Sequence, residues 1–229
     1  MNKMILGDCL EAMKNLPDKS VHAIITDLPY ATTSNKWDTP FPVEVWWVEA
    51  MRVCRGAVVT TASQPFTARM VMSNLPCFRH EWVWIKNRGS NFANTVREPM
   101  KEHEAVLVFA EKQWTYNKQM QERTGGGADR VKYGVAFRSQ SDNYREFAGR
   151  DHQQLPEMRV PSSWQKFNCE VGLHPTQKPL ELMRYMVRTY TNPGDIVLDP
   201  CMGSGTTCLA AKLEGRGYIG IEREPKYFE

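Results

Sequence analysis

The sequence predicts an α/β protein built on a doubly wound, mostly parallel sheet. Short apolar runs rich in β-branched residues alternate with segments of helical spacing over most of the chain, which is the pattern of β-α-β units. Near the C-terminus, "LDPCMGSGTT" reads as a strand, a glycine turn and the start of a helix. Near the N-terminus, "TDLPY" ends an apolar run with a carboxylate and enters a stiff turn that carries an aromatic tip.

The elements follow in order. "KMIL" is a short strand, and the helix after it runs from Asp8 to about Asn15 and stops at Pro17. "VHAIITD" is apolar on both alternating faces, as in a strand covered on both sides. Pro42 to Arg52 is helical, "GAVVTT" is a second buried strand, and "QPFTARMVMSN" is a helix with Pro65 at its start. "EWVWIK" and "EAVLVFA" are two further strands, with the polar loop "NRGSNFANTVREPMKEH" between them. "QKPLELMRYMVRTYT" is a helix with Pro179 in its first turn, "DIVLDP" a strand, "CMGSGTTCLAAKLEG" the glycine turn and its helix, and "GYIGIE" the last strand.

Between residues 111 and 173 the apolar pattern lapses. That stretch holds ten Lys/Arg, eight Asp/Glu, eight aromatic residues and the run "TGGGAD". A structureless loop of such length is unusual inside a compact domain, so it reads as an inserted module with a small core of its own. The expected organisation is a main domain made of residues 1–110 and 174–229, interrupted by the module 111–173.

Composition narrows the function classes. Hydrophobic residues at 41% and charged residues at 24% are ordinary for a globular protein, and the formal charge of +3 permits a nucleic-acid partner without demanding one. No apolar run approaches the ~20 residues of a membrane span. The N-terminus reaches Asp8 too soon to hold the core of a secretory signal, so a cytoplasmic protein is expected. The six cysteines form no CxxC pair and no metal-ligand spacing, and the histidines suggest neither a metal site nor a triad; reduced thiols and no metal are expected.

The glycine turn suggests a nucleoside. Gly203 and Gly205 let backbone approach a ligand where a helix offers free N–H groups, and Glu222, at the end of the next strand, stands where an acid takes ribose hydroxyls. If the strand ending at Asp199 lies beside the one ending at Asp27, the two motifs share a cleft at the point where strand order reverses. "TDLPY" then suits an exocyclic base amine, whose lone pair is drawn into the ring. Asp27 and the carbonyl of Leu28 supply two acceptors for its N–H bonds, Pro29 fixes the backbone that aims them, and Tyr30 offers a stacking face. Such an amine is reachable only when the base stands outside its helix.

"DLPY" resembles the Asp-Pro-Pro-Tyr motif of the DNA amino-methyltransferases, and "DPCMGSGTT" resembles their S-adenosylmethionine loop. "ILGDCLEAM" and "LHPTQKPLEL" are similar to two further motifs, and the order of the four is that of the β class. The resemblance covers about 165 residues, all but the inserted module. It implies a seven-stranded, Rossmann-like sheet in permuted order, S-adenosylmethionine as cofactor, double-stranded DNA as substrate and a homodimer. It leaves open a cognate restriction endonuclease and a bacterial or phage source. It also implies roles. Asp27, Leu28, Pro29 and Tyr30 form the catalytic site; Asp8, with Cys9 beside it, meets the cofactor's adenine amine and Glu222 its ribose. Asp199, Pro200, Cys201, Gly203, Ser204, Gly205 and Thr206 surround its methionine part, and Lys178 with Pro179 holds the carboxylate end. Asp27 points to adenine N6 as acceptor, since Ser is common there in cytosine-N4 enzymes.

Two positions depart from the family pattern: Leu28 replaces its first proline and Cys201 its usual phenylalanine. Lys86, Arg88, Arg97 and Lys101 of the polar loop are expected at phosphates or beside the displaced base. Arg123, Arg130, Lys132 and Arg138 of the module are candidates for contacts to DNA bases. The competing readings are cytosine-N4 transfer, a DNA-binding relative without activity, and a dinucleotide-dependent oxidoreductase. Pro200-Cys201 and Pro76-Cys77 also have to be weighed as Pro-Cys nucleophiles. The plainer alternatives are a strand-end cap for Asp27, a surface carboxylate for Glu222 and a solvated lysine for Lys178.

Overall fold

The computed structural model describes residues 1–31, 39–123, 157–170 and 177–228. It divides into two compact units, one of Met1–Asn117 with Ser163–Glu229 and the other of Lys118–Ser162. The first unit contains all seven strands read from the sequence: β1 Asn2–Leu6, β2 Val21–Thr26, β3 Cys54–Ala62, β4 Phe78–Ser90, β5 Lys101–Phe109, β9 Ile196–Asp199 and β10 Gly217–Glu222. A short strand, β8 Trp164–Lys166, adds an eighth by pairing in parallel with β4, and three residues were too few for the apolar pattern to reveal it. The helices are α1 Cys9–Lys14, α2 Val43–Val53, α3 Phe66–Ser73, α4 Leu180–Tyr190, α5 Thr206–Leu213 and α6 Pro225–Phe228.

The strand order is β1-β10-β9-β2-β3-β5-β4-β8. From β1 to β3 every pair is parallel, whereas β5 runs antiparallel to both β3 and β4. The chain leaves β9 for β10 in one direction and β2 for β3 in the other. Strand order therefore reverses between β9 and β2, neighbours through Ala23↔Val197 and Ile24↔Leu198. Crevices at such a point open beyond the carboxyl ends of the strands.

Burial on both faces explains why the central strands are apolar throughout. Ile24, Val58 and Leu198 pack with Met13, Trp46, Ala50 and Met70 of α1, α2 and α3. Their chain neighbours Ile25, Val59 and Val197 point the other way, onto Leu182, Met186, Ala210 and Ala211 of α4 and α5. Two helical layers thus clamp one sheet and hold its strand ends in place. Among the described residues, no helix is long and apolar enough to cross a membrane.

The second unit lies within the segment 111–173. Its described part is a two-residue antiparallel pair, β6 Gln121–Glu122 with β7 Met158–Arg159, extended by Arg123 N donating to Glu157 O at 2.9 Å. Arg130, Lys132 and Arg138 lie outside the described residues.

Candidate active site

Four adjacent parallel strands each deliver a carboxylate within two residues of their ends: β1 brings Asp8, β10 Glu222, β9 Asp199 and β2 Asp27. All four line a single cleft of about 540 Å³. Every residue expected to bind the cofactor from Asp8 through Glu222 lines it too, apart from Pro179 and Gly205. Pro179 caps α4 just beside Lys178.

On the β1 side, Asp8 caps α1, its Oδ1 accepting from Leu10 N at 2.9 Å and Glu11 N at 3.2 Å. Glu222 is nearly buried and forms no ion pair among the described residues. Its Oε2 accepts from Gly203 N at 2.9 Å and its Oε1 from Glu224 N at 2.7 Å, so two backbone amides set its plane. Each oxygen keeps a lone pair for a further donor. Gly203 and Gly205 have φ of 51° and 78°, where a side chain is strained, and Gly205 N closes the turn on Met202 O at 2.8 Å.

Asp199 lies beneath this turn and is 3% exposed. Its Oδ1 accepts from Thr26 Oγ1 at 2.8 Å and Cys201 N at 3.2 Å, fastening β9 to β2. Burial pushes its pKa up to about 7, against hydrogen bonds that favour the ionised form. The Cys201 thiol is hydrogen-bonded to Cys9 and buried, which raises its pKa well above the ordinary thiol value. A thiol kept protonated is a poor nucleophile, and Cys77 does not line the cleft, so neither Pro-Cys pair has the setting of a nucleophile.

On the β2 side, Asp27 is held by three donors. Tyr30 Oη, at 2.7 Å, and Thr61 Oγ1 both donate to Oδ1; Lys178 Nζ donates to Oδ2 at 2.7 Å. Two donors fill Oδ1, while Oδ2 keeps an accepting position. The Leu28 side chain is 2% exposed in the core, and among the described residues its carbonyl has no partner. Packing thus provides the anchorage that a proline ring provides in the family motif. Phe66 stacks on Tyr30 with centroids 5.1 Å apart.

Lys178 joins two carboxylates, since Glu104 Oε2 stands 3.6 Å from the ammonium opposite Asp27. Burial alone would lower the lysine's pKa, but the two carboxylates outweigh it and raise it. Lys178 was expected at the carboxylate end of a cofactor; here its nearest partners are Asp27 and Glu104. Lys86 also differs from its expected place in an exposed loop. Strand β4 continues to Ser90, and the Lys86 side chain is 9% exposed in an ion pair with Glu104. Burial raises the Glu104 pKa, but Lys178 and Lys86 outweigh it and bring it below the ordinary value. Arg88 and Lys101, expected in the same loop, also fall within strands β4 and β5, and of the four cations only Arg97 lies in the connection; both arginines are exposed. Asp27, Lys178, Glu104 and Lys86 therefore alternate in sign along one wall of the cleft.

The sequence reading missed Thr61 and Glu104. Thr60 lies opposite Thr26, so strand register alone places Thr61 beside Asp27. Glu104 carried a weaker signal, a carboxylate directly before the apolar run of β5, and it gained meaning only when β4 brought Lys86 across. Among the described residues, no group of His, Cys, Asp and Glu is arranged to hold a metal.

Comparison with known proteins places the chain in a family. A family model of N6/N4 methyltransferases, described as DNA methylase, matches residues 21–229. The chain is 28% identical to the DNA adenine methyltransferase YhdJ of Escherichia coli K12, over 99% of this chain and 80% of that protein. It is 26% identical to the type II methyltransferase M.HinfI of Haemophilus influenzae, over 100% of this chain and 67% of that one. Among solved structures, the M1.HpyAVI complex with S-adenosylmethionine superposes with a TM-score of 0.67 at 28% identity, covering 100% of this chain and 96% of the other. The cytosine-N4-specific PvuII methyltransferase shares the fold, with a TM-score of 0.67 at 17% identity over 98% of this chain and 83% of that one.

Proposed function

The chain belongs to the N6/N4 DNA methylase family and is an S-adenosylmethionine-dependent DNA methyltransferase; from that premise we propose that its acceptor is the N6 amine of an adenine turned out of duplex DNA. The observation that carries this reading is the setting of Asp27. It is a carboxylate with an open accepting position on Oδ2, next to the Leu28 carbonyl, which has no partner among the described residues, in the same cleft as the glycine turn.

The cleft suits the cofactor. Asp8 and Glu222 offer carboxylates to an adenine amine and ribose hydroxyls, and the turn at Gly203 and Gly205 lets backbone come close. When bound, S-adenosylmethionine supplies an electrophilic methyl on a cationic sulfur. The remaining work falls to the chain. Asp27 Oδ2 and the Leu28 carbonyl accept the two N–H bonds of the target amine, turning its lone pair toward the methyl. Methyl transfer from the bound cofactor would place positive charge on the amine nitrogen, and the two acceptors would stabilise it. Tyr30, Thr61 and Lys178 fix the Asp27 plane before the base arrives, so little reorganisation accompanies the step. The amine then releases one proton past Asp27 to solvent.

Incubation with DNA and methyl-tritiated S-adenosylmethionine, followed by digestion to nucleosides, tests the assignment. Label in N6-methyl-2′-deoxyadenosine is expected. Label in N4-methyl-2′-deoxycytidine overturns the choice of base, and DNA without label overturns the choice of reaction.

A further inference from the structure

The tip of the β4–β5 hairpin is ordered by its own polar groups, yet it turns apolar side chains into solvent. Asn91, at φ 68°, leads into a single 3-10 turn, Phe92–Asn94. Asn94 Nδ2 donates to Asn91 Oδ1 at 2.7 Å, Thr95 Oγ1 to Phe92 O at 2.9 Å, and Arg97 N to Asn94 O at 2.9 Å. Asn91 Nδ2 also bonds Glu98, closing the base of the tip. On this braced turn Phe92 is 78% exposed and Val96 87%. Burying a phenylalanine is favourable, and the fold leaves that gain unrealised.

Position and charge indicate what covers the tip. Ser90 and Lys101 pair at its root, and both line the cleft that holds Asp27. Arg88, on β4, and Arg97, next to Val96 in the chain, are exposed, and neither forms an ion pair among the described residues. Two side chains on a narrow turn fall far short of the ~800 Å² per partner of a stable protein interface. They do match the dimensions of one base step, and two exposed cations on the same hairpin suit the phosphates that flank it.

We infer that Phe92, backed by Val96, is a wedge that enters the DNA stack beside the target and fills the gap left when the base moves into the cleft. Arg88 and Arg97 hold the flanking phosphates. Apolar wedges of this kind open a base step and offset the cost of extruding a paired base. The inference rests on the DNA methyltransferase reading above and adds to it the group that displaces the base.

The test compares wild type, Phe92→Ala and Phe92→Leu on duplexes that carry the chain's own target, located by sequencing DNA methylated by the wild type. One duplex has the target base paired; in the other it faces an abasic site. With the paired duplex, Phe92→Ala is expected to lose roughly tenfold or more in kcat/KM, about 1.4 kcal/mol or more. It should also lose most of the fluorescence rise of a target-site base analogue such as 2-aminopurine. On the abasic duplex its rate should return to within about twofold of wild type, because extrusion there no longer breaks a pair. Phe92→Leu, which keeps apolar bulk, should retain most activity on both. Equal rates for wild type and Phe92→Ala on the paired duplex overturn the wedge alone, as does the same deficit on both duplexes. Wild-type protein that labels no DNA overturns the wedge and the parent reading together.

Discussion

Asp27 and Asp199 stand at the ends of adjacent parallel strands, each followed by a proline within two residues, yet their surroundings give them opposite tasks. Asp199 is sealed beneath the glycine turn with only uncharged donors, and burial raises its pKa to about 7. The Asp27 side chain is 26% exposed to the cleft and has the Lys178 ammonium 2.7 Å away. One carboxylate binds two strands together; the other is fixed in place with an accepting position still open. A carboxylate at the reversal point of the sheet is therefore not by itself a catalytic group. The donors around it decide between scaffold and site.

Breaking the contrast at Asp27 should have the largest effect. Asp27→Ala is expected to lose roughly 10²–10³-fold in single-turnover methyl transfer, the scale seen when a preorganised hydrogen-bonding group is removed. Cofactor affinity, read by calorimetry, should stay within about twofold. Unchanged turnover would remove Asp27 from the reaction. Lys178→Met comes next, with about a tenfold or greater loss of rate. It removes one of the two ammonium groups that hold the Glu104 carboxyl below its ordinary range, so a limb of the rate profile set by Glu104 should move to higher pH. A profile that keeps its shape would make the lysine purely structural.

Asp199 is sharpened by stability rather than rate. Its folded pKa, about 7, lies above the ordinary aspartate value near 3.9, so the folded chain binds the extra proton between those limits. Its contribution is full below about pH 4 and is lost as pH rises through 7. Urea unfolding across that range should show wild type losing stability relative to Asp199→Asn as pH increases. A constant difference between the two would place the carboxylate in a wetter setting than the structure shows. The smallest effect belongs to Glu222→Gln, which removes charge while keeping an acceptor. It should weaken S-adenosylmethionine by about tenfold or less and leave the rate near wild type once cofactor is saturating.

Local pattern carried most of the fold. "VHAIITD", "GAVVTT" and "DIVLDP" are apolar at successive positions because helices cover both faces of the sheet, and that coverage is recorded in each segment. The helix starts at Asp8 and the bend at Gly203–Gly205 were legible for a similar reason, since cap and turn chemistry acts over three or four residues. The loop drawn over 87–103 was too long, because β4 runs on to Ser90 and β5 begins at Lys101, and polar strand residues such as Lys86 and Glu104 look like solvent residues until strand pairing turns them toward each other. Strand β8 escaped notice because its place depends on β4, not on its own three residues.

The sequence by itself determined the alternating elements, the four strand-end motifs and their order, since these follow from side-chain periodicity and short-range backbone chemistry. Tertiary structure alone decided that Lys178 faces Asp27, that Glu104 joins two lysines, that Asp199 is sealed from solvent and that Phe92 stands in it. Those outcomes depend on register and burial between segments up to 173 residues apart, as in the Thr26–Asp199 bond. Charge partners and solvent access are properties of the packed neighbourhood, which no single segment encodes.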